Sequence, residues 1–101
     1  MAPAREPVAR TRRAAAQVGE SLTAARKLQG LTADQVAQRA NISRGTLRRL
    51  EHGEATVGFD VLLDVVRVLG GLERLLLAVD PYETDVGRAR ANEALPKRIR
   101  R

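Results

Sequence analysis

From Val18 onward, apolar residues recur in steps of three and four, the period of a helix with one face on a core. Val18, Leu22, Ala25 and Leu28 set the first run, which Gly30 ends. Leu31 leads into Thr32-Ala33-Asp34-Gln35, a capping-box pattern in which Thr32 and Gln35 satisfy each other's backbone N–H groups. Val36, Ala37 and Ala40 then form the inner face of a second helix. Asn41 follows as a turn residue able to take positive φ. Ser43 caps a third helix, whose buried positions are Leu47 and Leu50 and whose end is Gly53. Phe59, Leu62, Leu63, Val66 and Leu69 predict a fourth, strongly apolar helix over about residues 58–69. Gly70 and Gly71 break it, and "LERLLLAV", residues 72–79, predicts a short fifth helix.

Composition agrees with an all-α domain. Val, Leu and Ala dominate the apolar set, alternating β-branched clusters are scarce, and Phe59 and Tyr82 are the only aromatics, so the core is aliphatic. The 101 residues fit one domain plus tails. Residues 1–17 carry Arg5, Arg10, Arg12 and Arg13 against the single acid Glu6 and are expected to form a flexible basic arm, with "RRAAAQVGE" fraying into the first helix. Residues 18–79 are expected to hold the five helices. Residues 80–101, which end on Lys97, Arg98, Arg100 and Arg101 around Ile99, are expected to be a basic tail too polar to fold alone.

With no cysteine, disulfides, thiolate nucleophiles and Cys-based metal sites are excluded. No apolar run approaches a membrane span, and the basic N-terminus has no apolar segment of the secretory kind, so a cytoplasmic protein without a membrane role is expected. The net charge is +6, and 16 of the 18 basic residues are arginine. Such a balance points to nucleic acid or another anionic partner. A GC-rich genome would also raise Arg and Ala together, so placement has to decide.

Placement is informative in "NISRGTLRRLEHG", residues 41–53. On a helical wheel advancing about 100° per residue, Leu47 and Leu50 fall on one side. Gly45, Arg48, Arg49 and His52 fall on the other, with Arg44 at its edge. A major groove admits one helix, and an arginine can donate two parallel hydrogen bonds to guanine O6 and N7. Gly45 offers no side chain, allowing close approach of the backbone, and Ser43 and Thr46 bring hydroxyls to the helix start. The competing reading is a solvated face on which Arg48 pairs with Glu51 and Arg49 with Glu54. Two short capped helices joined by a tight turn, with small Ala37 at their crossing, follow the helix-turn-helix plan and favour the first reading.

On these residues, the stretch 31–70 resembles the XRE (Cro/lambda-repressor-like) helix-turn-helix family. The matching features are Leu31-Thr32, Val36-Ala37, Ile42-Ser43, Leu47, Leu50-Glu51 with Gly53, Leu62-Leu63 and Leu69-Gly70. With the first and fifth helices, the resemblance covers about residues 18–78. It implies a compact five-helix domain whose recognition helix spans residues 43–52. It places Arg44, Gly45 and Arg49 toward base edges with Arg48 beside them, and Thr32, Ser43 and Thr46 near phosphates. His52 closes the recognition helix, where it favours the dipole or touches a phosphate. Three departures stand out: Asn41 replaces the usual turn Gly, Ala33 replaces a phosphate-gripping Gln, and Gly45 is an unusual base-reading residue.

The family resemblance implies a DNA-binding transcriptional regulator, a repressor acting as a homodimer on double-stranded DNA with an inverted-repeat operator, and no cofactor. More weakly, the tail resembles HipB-like antitoxins that bind a HipA-type kinase toxin and repress their own operon. A protein-binding helical bundle without DNA affinity is a third class. An enzyme is disfavoured: no serine has a nucleophile-elbow setting, Gly70-Gly71 lacks a phosphate-loop ending, and Asp60 and Asp64 read as a solvated face. A metal held by His52, Glu51 and Glu54 is disfavoured because a lone His without Cys rarely builds a site. Leu62, Val65, Val68, Leu72, Leu75, Leu76 and Leu77 exceed what a small domain needs, and either core or a dimer seam accounts for them.

Overall fold

The two central helices begin where their caps dictate. The computed structural model describes residues 5–94. In it, Thr32 Oγ1 accepts from the Gln35 N–H at 3.1 Å and Gln35 Oε1 accepts from the Thr32 N–H at 2.9 Å, which closes the capping box and starts α2 (Ala33–Ala40). Asn41 ends α2 in the left-handed region at φ 58°, a conformation that Asn tolerates at little cost. Ser43 Oγ accepts from the Thr46 N–H at 3.0 Å and starts α3 (Arg44–Glu51). Gly53, at φ 79°, supplies the positive φ after α3. The other helices are α1 (Ala9–Leu28), α4 (Phe59–Val68), α5 (Leu72–Val79) and α6 (Asp85–Ala94), with a 3-10 turn at Pro81–Glu83 and no strand among the described residues.

The chain divides after Gly71 into two units. In the first, Val36, Ala37, Ala40, Leu47, Leu50, Val65 and Leu69 form the buried core, with Leu22, Ala25, Leu31, Ile42, Leu62 and Val68 packed against it. Val65, left open as surplus to the core, is fully buried, and Leu62 and Val68 also belong to this cluster. Phe59, placed on the apolar face of α4, is instead 73 % exposed.

Three expectations change. The first helix starts at Ala9, so residues 9–17 of the expected arm are helical. The reason is close packing: a Cβ on Gly53 would stand 2.5 Å from Ala16 Cα, which is how nearly α1 approaches the end of α3. The buried face of α1 is also rotated from the apolar run. Leu28 is 88 % exposed, whereas Gly19 is buried and Ala15, Leu22, Ala25 and Arg26 are partly buried. Closeness of backbones selected the small residue, and an ion pair selected the charged one.

The third change lies in the second unit, where residues 81–94 of the expected tail hold the 3-10 turn and α6. Asp80 Oδ1 accepts from the Tyr82 N–H at 2.9 Å, and Thr84 Oγ1 accepts from the Gly87 N–H at 2.9 Å, a side-chain cap at the start of α6. A Cβ on Gly87 would run into the Pro81 carbonyl, so turn and helix meet through this glycine. The cluster Lys97, Arg98, Ile99, Arg100 and Arg101 lies outside the described residues.

Candidate nucleic-acid interface

α3 is anchored from behind and at its end. Leu47 is 1 % and Leu50 8 % exposed, as their wheel positions require. Gly19 of α1 lets the backbones touch: a Cβ there would stand 2.6 Å from the Glu51 carbonyl oxygen and 2.8 Å from that of Leu50. Beside this contact, the Arg26 guanidinium forks onto the Glu51 carboxylate, with Nε to Oε2 at 2.8 Å and Nη2 to Oε1 at 3.2 Å. Its Nη1 donates to the Leu31 carbonyl at 3.1 Å. One side chain thus ties α1, the loop before α2 and α3 together. The pair's side chains are only 13 % and 12 % exposed, and the Glu51 hydrogen bond, outweighing the cost of burial, raises Arg26 above the ordinary arginine range.

The sequence reading missed both Gly19 and this use of Arg26. A signal existed: Arg26 stands four residues after Leu22 and beside Ala25, so a charge interrupts the apolar face. A charge there requires a buried partner.

The outward side of α3 carries Arg44, Gly45, Arg48, Arg49 and His52, all exposed. Arg44, Gly45, Arg48 and His52 line one shallow groove of about 370 Å³. Arg49 lies apart from it, with Nε donating to Glu54 Oε1 at 3.2 Å. Arg44 Nη1 donates to Asp34 Oδ1 of α2 at 2.9 Å. Of the two local pairs in the solvated-face reading, Arg49–Glu54 forms. Arg48–Glu51 does not, because Glu51 is taken by Arg26. Among the described residues Arg48 has no ion pair. The pairs at Arg44 and Arg49 are about half exposed or more, and pairs of that kind contribute only about 0–1 kcal/mol. Each pair engages one donor of its arginine and leaves other N–H groups open to an incoming phosphate or base edge.

Around this face the hydroxyl-bearing residues differ in what they still offer. Ser43 Oγ accepts from the Thr46 N–H and donates to Thr46 Oγ1 at 2.9 Å, so the spare hydroxyl hydrogen belongs to half-buried Thr46. Thr32 Oγ1 only accepts, at the start of α2, and keeps its own hydrogen. His52 Nδ1 lies 2.7 Å from the Arg48 carbonyl. A carbonyl only accepts, so Nδ1 carries the hydrogen, and Nε2 of the neutral ring is an acceptor. Donation from His52 Nε2 to a phosphate therefore requires the imidazolium. Of the trio weighed as a metal site, Glu51 is taken by Arg26, and among the described residues no three His, Asp or Glu side chains are grouped so as to hold a metal ion. Asp60 accepts from the Val61 N–H, and Asp64 pairs with Arg67, the exposed bonding of a solvated face.

Among the described residues, no helix is long and apolar enough to cross a membrane. No curated protein and no solved structure matches the chain. A family model described as helix-turn-helix matches residues 22–75, a span from the last third of α1 into α5 that contains α2, the Asn41 turn and α3. The capped pair α2–α3, the leucine-backed outward face of α3 and this match over more than half of the chain together make the protein a member of the XRE-like helix-turn-helix family of DNA-binding regulators.

Proposed function

We propose that the protein is a sequence-specific repressor that binds an inverted-repeat operator as a homodimer. The observation that carries this reading is the two-sidedness of α3, with Leu47 and Leu50 buried and three guanidinium groups held on the outward side within about two turns. In this reading α3 enters the major groove, where Arg44 and Arg49 contact base edges, Arg48 lies beside them, and Gly45 admits the duplex close to the backbone. Thr32, Thr46 and the capped start of α3 face phosphates, with Ser43 orienting Thr46, and His52 adds a phosphate contact when protonated. Two copies present their recognition helices roughly 34 Å apart, one turn of B-DNA, and occlude a promoter. The exposed Leu76 and Leu77 of α5 are the residues on which we place the dimer seam.

The test is binding-site selection from random duplexes, run side by side with wild type and Arg49→Ala. The wild type is expected to recover a palindromic site. The variant is expected to lose preference at one position in each half-site, because one bidentate contact is worth about 1–3 kcal/mol of discrimination. An unchanged preference refutes the role given to Arg49, and failure of the wild type to enrich any sequence refutes specific binding.

A further inference from the structure

Two carboxylates stand on a face proposed to meet a polyanion, and each grips a different part of an arginine. Glu54 Oε1 takes only the Nε of Arg49, at 3.2 Å. That leaves both terminal nitrogens, the end-on fork, free. Asp34 Oδ1 takes only Nη1 of Arg44, at 2.9 Å. That leaves Nε and Nη2, the side-on fork, which is the same edge that Arg26 uses to grip Glu51. An arginine has five N–H donors in a rigid plane, so a bond at one edge restricts the directions in which the other edges point. Each acid thus costs its arginine one donor set and spares a complete two-donor edge, the number that guanine O6 and N7 require.

For general phosphate neutralisation such acids are a handicap, since each cancels a positive charge next to the duplex. For base reading they help, because they hold a long, flexible side chain in one orientation before contact and lower the entropy cost of ordering it. Glu54 and Arg49 lie five residues apart across the end of α3, and Asp34 reaches Arg44 from α2, so neither pair follows from helix spacing on α3 alone.

We propose that Glu54 and Asp34 are positioning residues for DNA specificity: Glu54 presents the end-on edge of Arg49, and Asp34 the side-on edge of Arg44, each to a guanine. This rests on the proposed base-reading role of these two arginines.

The experiment is binding-site selection with Glu54→Ala, Glu54→Gln and Arg49→Ala in the full chain, with affinity for a random duplex measured on the same samples. Both Glu54 variants are expected to bind random DNA more tightly, because a negative charge is gone. Only Glu54→Ala is expected to lose discrimination, by roughly fivefold, at the base pair whose preference Arg49→Ala abolishes. Glu54→Gln keeps an oxygen to accept from Nε and is expected to retain the preference. Equal discrimination in Glu54→Ala and wild type, with Arg49→Ala altered, overturns the positioning role while leaving Arg49 as a reader. Unchanged preference in Arg49→Ala overturns both. Loss of discrimination in Glu54→Gln equal to that in Glu54→Ala shows that charge alone matters and also overturns the proposal. Asp34→Asn and Asp34→Ala form the parallel series for Arg44.

Discussion

Gly45 is where the demands of the fold and of the DNA separate. It occupies the second position of α3 with helical, not left-handed, backbone. A Cβ built there meets nothing nearer than Ser43 Oγ at 3.9 Å, so the folded chain has room for a methyl group. Alanine in a helix is favoured over glycine by about 0.5–1 kcal/mol, because the unfolded chain loses fewer conformations on folding. For a domain of this size that corresponds to a melting temperature about 2–8 °C higher. In the proposed complex the same methyl stands where a base edge or sugar approaches. Backing the helix away loosens the arginine contacts, and the loss of one bidentate contact weakens operator binding by about fivefold or more. Thermal unfolding followed by circular dichroism and operator binding followed by fluorescence anisotropy measure the two effects on one sample. Gly45→Ala is expected to be more stable and to bind more weakly. A lower melting temperature would mean that the fold itself needs this glycine, and unchanged affinity would mean that the duplex does not approach here. Gly19→Ala is the control with the opposite sign. Its Cβ would lie 2.6 Å from the Glu51 carbonyl, where only backbone can yield, and overpacking of this kind costs about 1–3 kcal/mol.

Two further outcomes follow from the anchoring of α3 and from α5. Arg26→Ala leaves the Glu51 carboxylate nearly buried without its partner and is expected to destabilise the fold by about 2–4 kcal/mol, read by urea denaturation. Because the folded-state pKa of Arg26 is raised, its contribution is fully present below the ordinary arginine range and is lost only as pH rises through and beyond it, so titration of Arg26 adds no slope to stability near neutral pH. Leu76→Asp with Leu77→Asp changes side chains that are 56 % and 53 % exposed. It is expected to shift the protein from dimer to monomer in sedimentation velocity while leaving the helical circular dichroism signal intact. A dimer that persists would remove α5 from the seam.

The helices were readable wherever local chemistry decides. Caps at Thr32 and Ser43, the left-handed Asn41 and the stop at Gly70 act within a few residues, and with the helical period of residues 58–79 they put α2 to α5 where they are found. The outward face of α3 was readable for the same reason: a wheel needs only the period. The start of α1 was harder, because residues 9–17 have good helix formers but their place depends on Gly53, more than thirty residues away. In α6, overall polarity concealed a local cap at Thr84 and a glycine required by Pro81. Pattern analysis weighs apolar side chains, so it overlooks contacts made by having no side chain.

Glu51 shows most plainly how a local rule can lose to a distant one. Arg48 stands three residues before it on the same helix, a spacing at which opposite charges pair. Such a pair on an exposed face is worth only about 0.2–0.5 kcal/mol. Arg26, twenty-five residues away, offers two nitrogens to both carboxylate oxygens and a third to the Leu31 carbonyl, in a place where little water competes. A carboxylate can be satisfied by either partner, but once the Gly19 contact carries Glu51 inward, only Arg26 can follow it there. The same geometry that closes α1 onto α3 thereby frees Arg48, and the one guanidinium on this face without an acid partner among the described residues owes its freedom to a glycine on another helix.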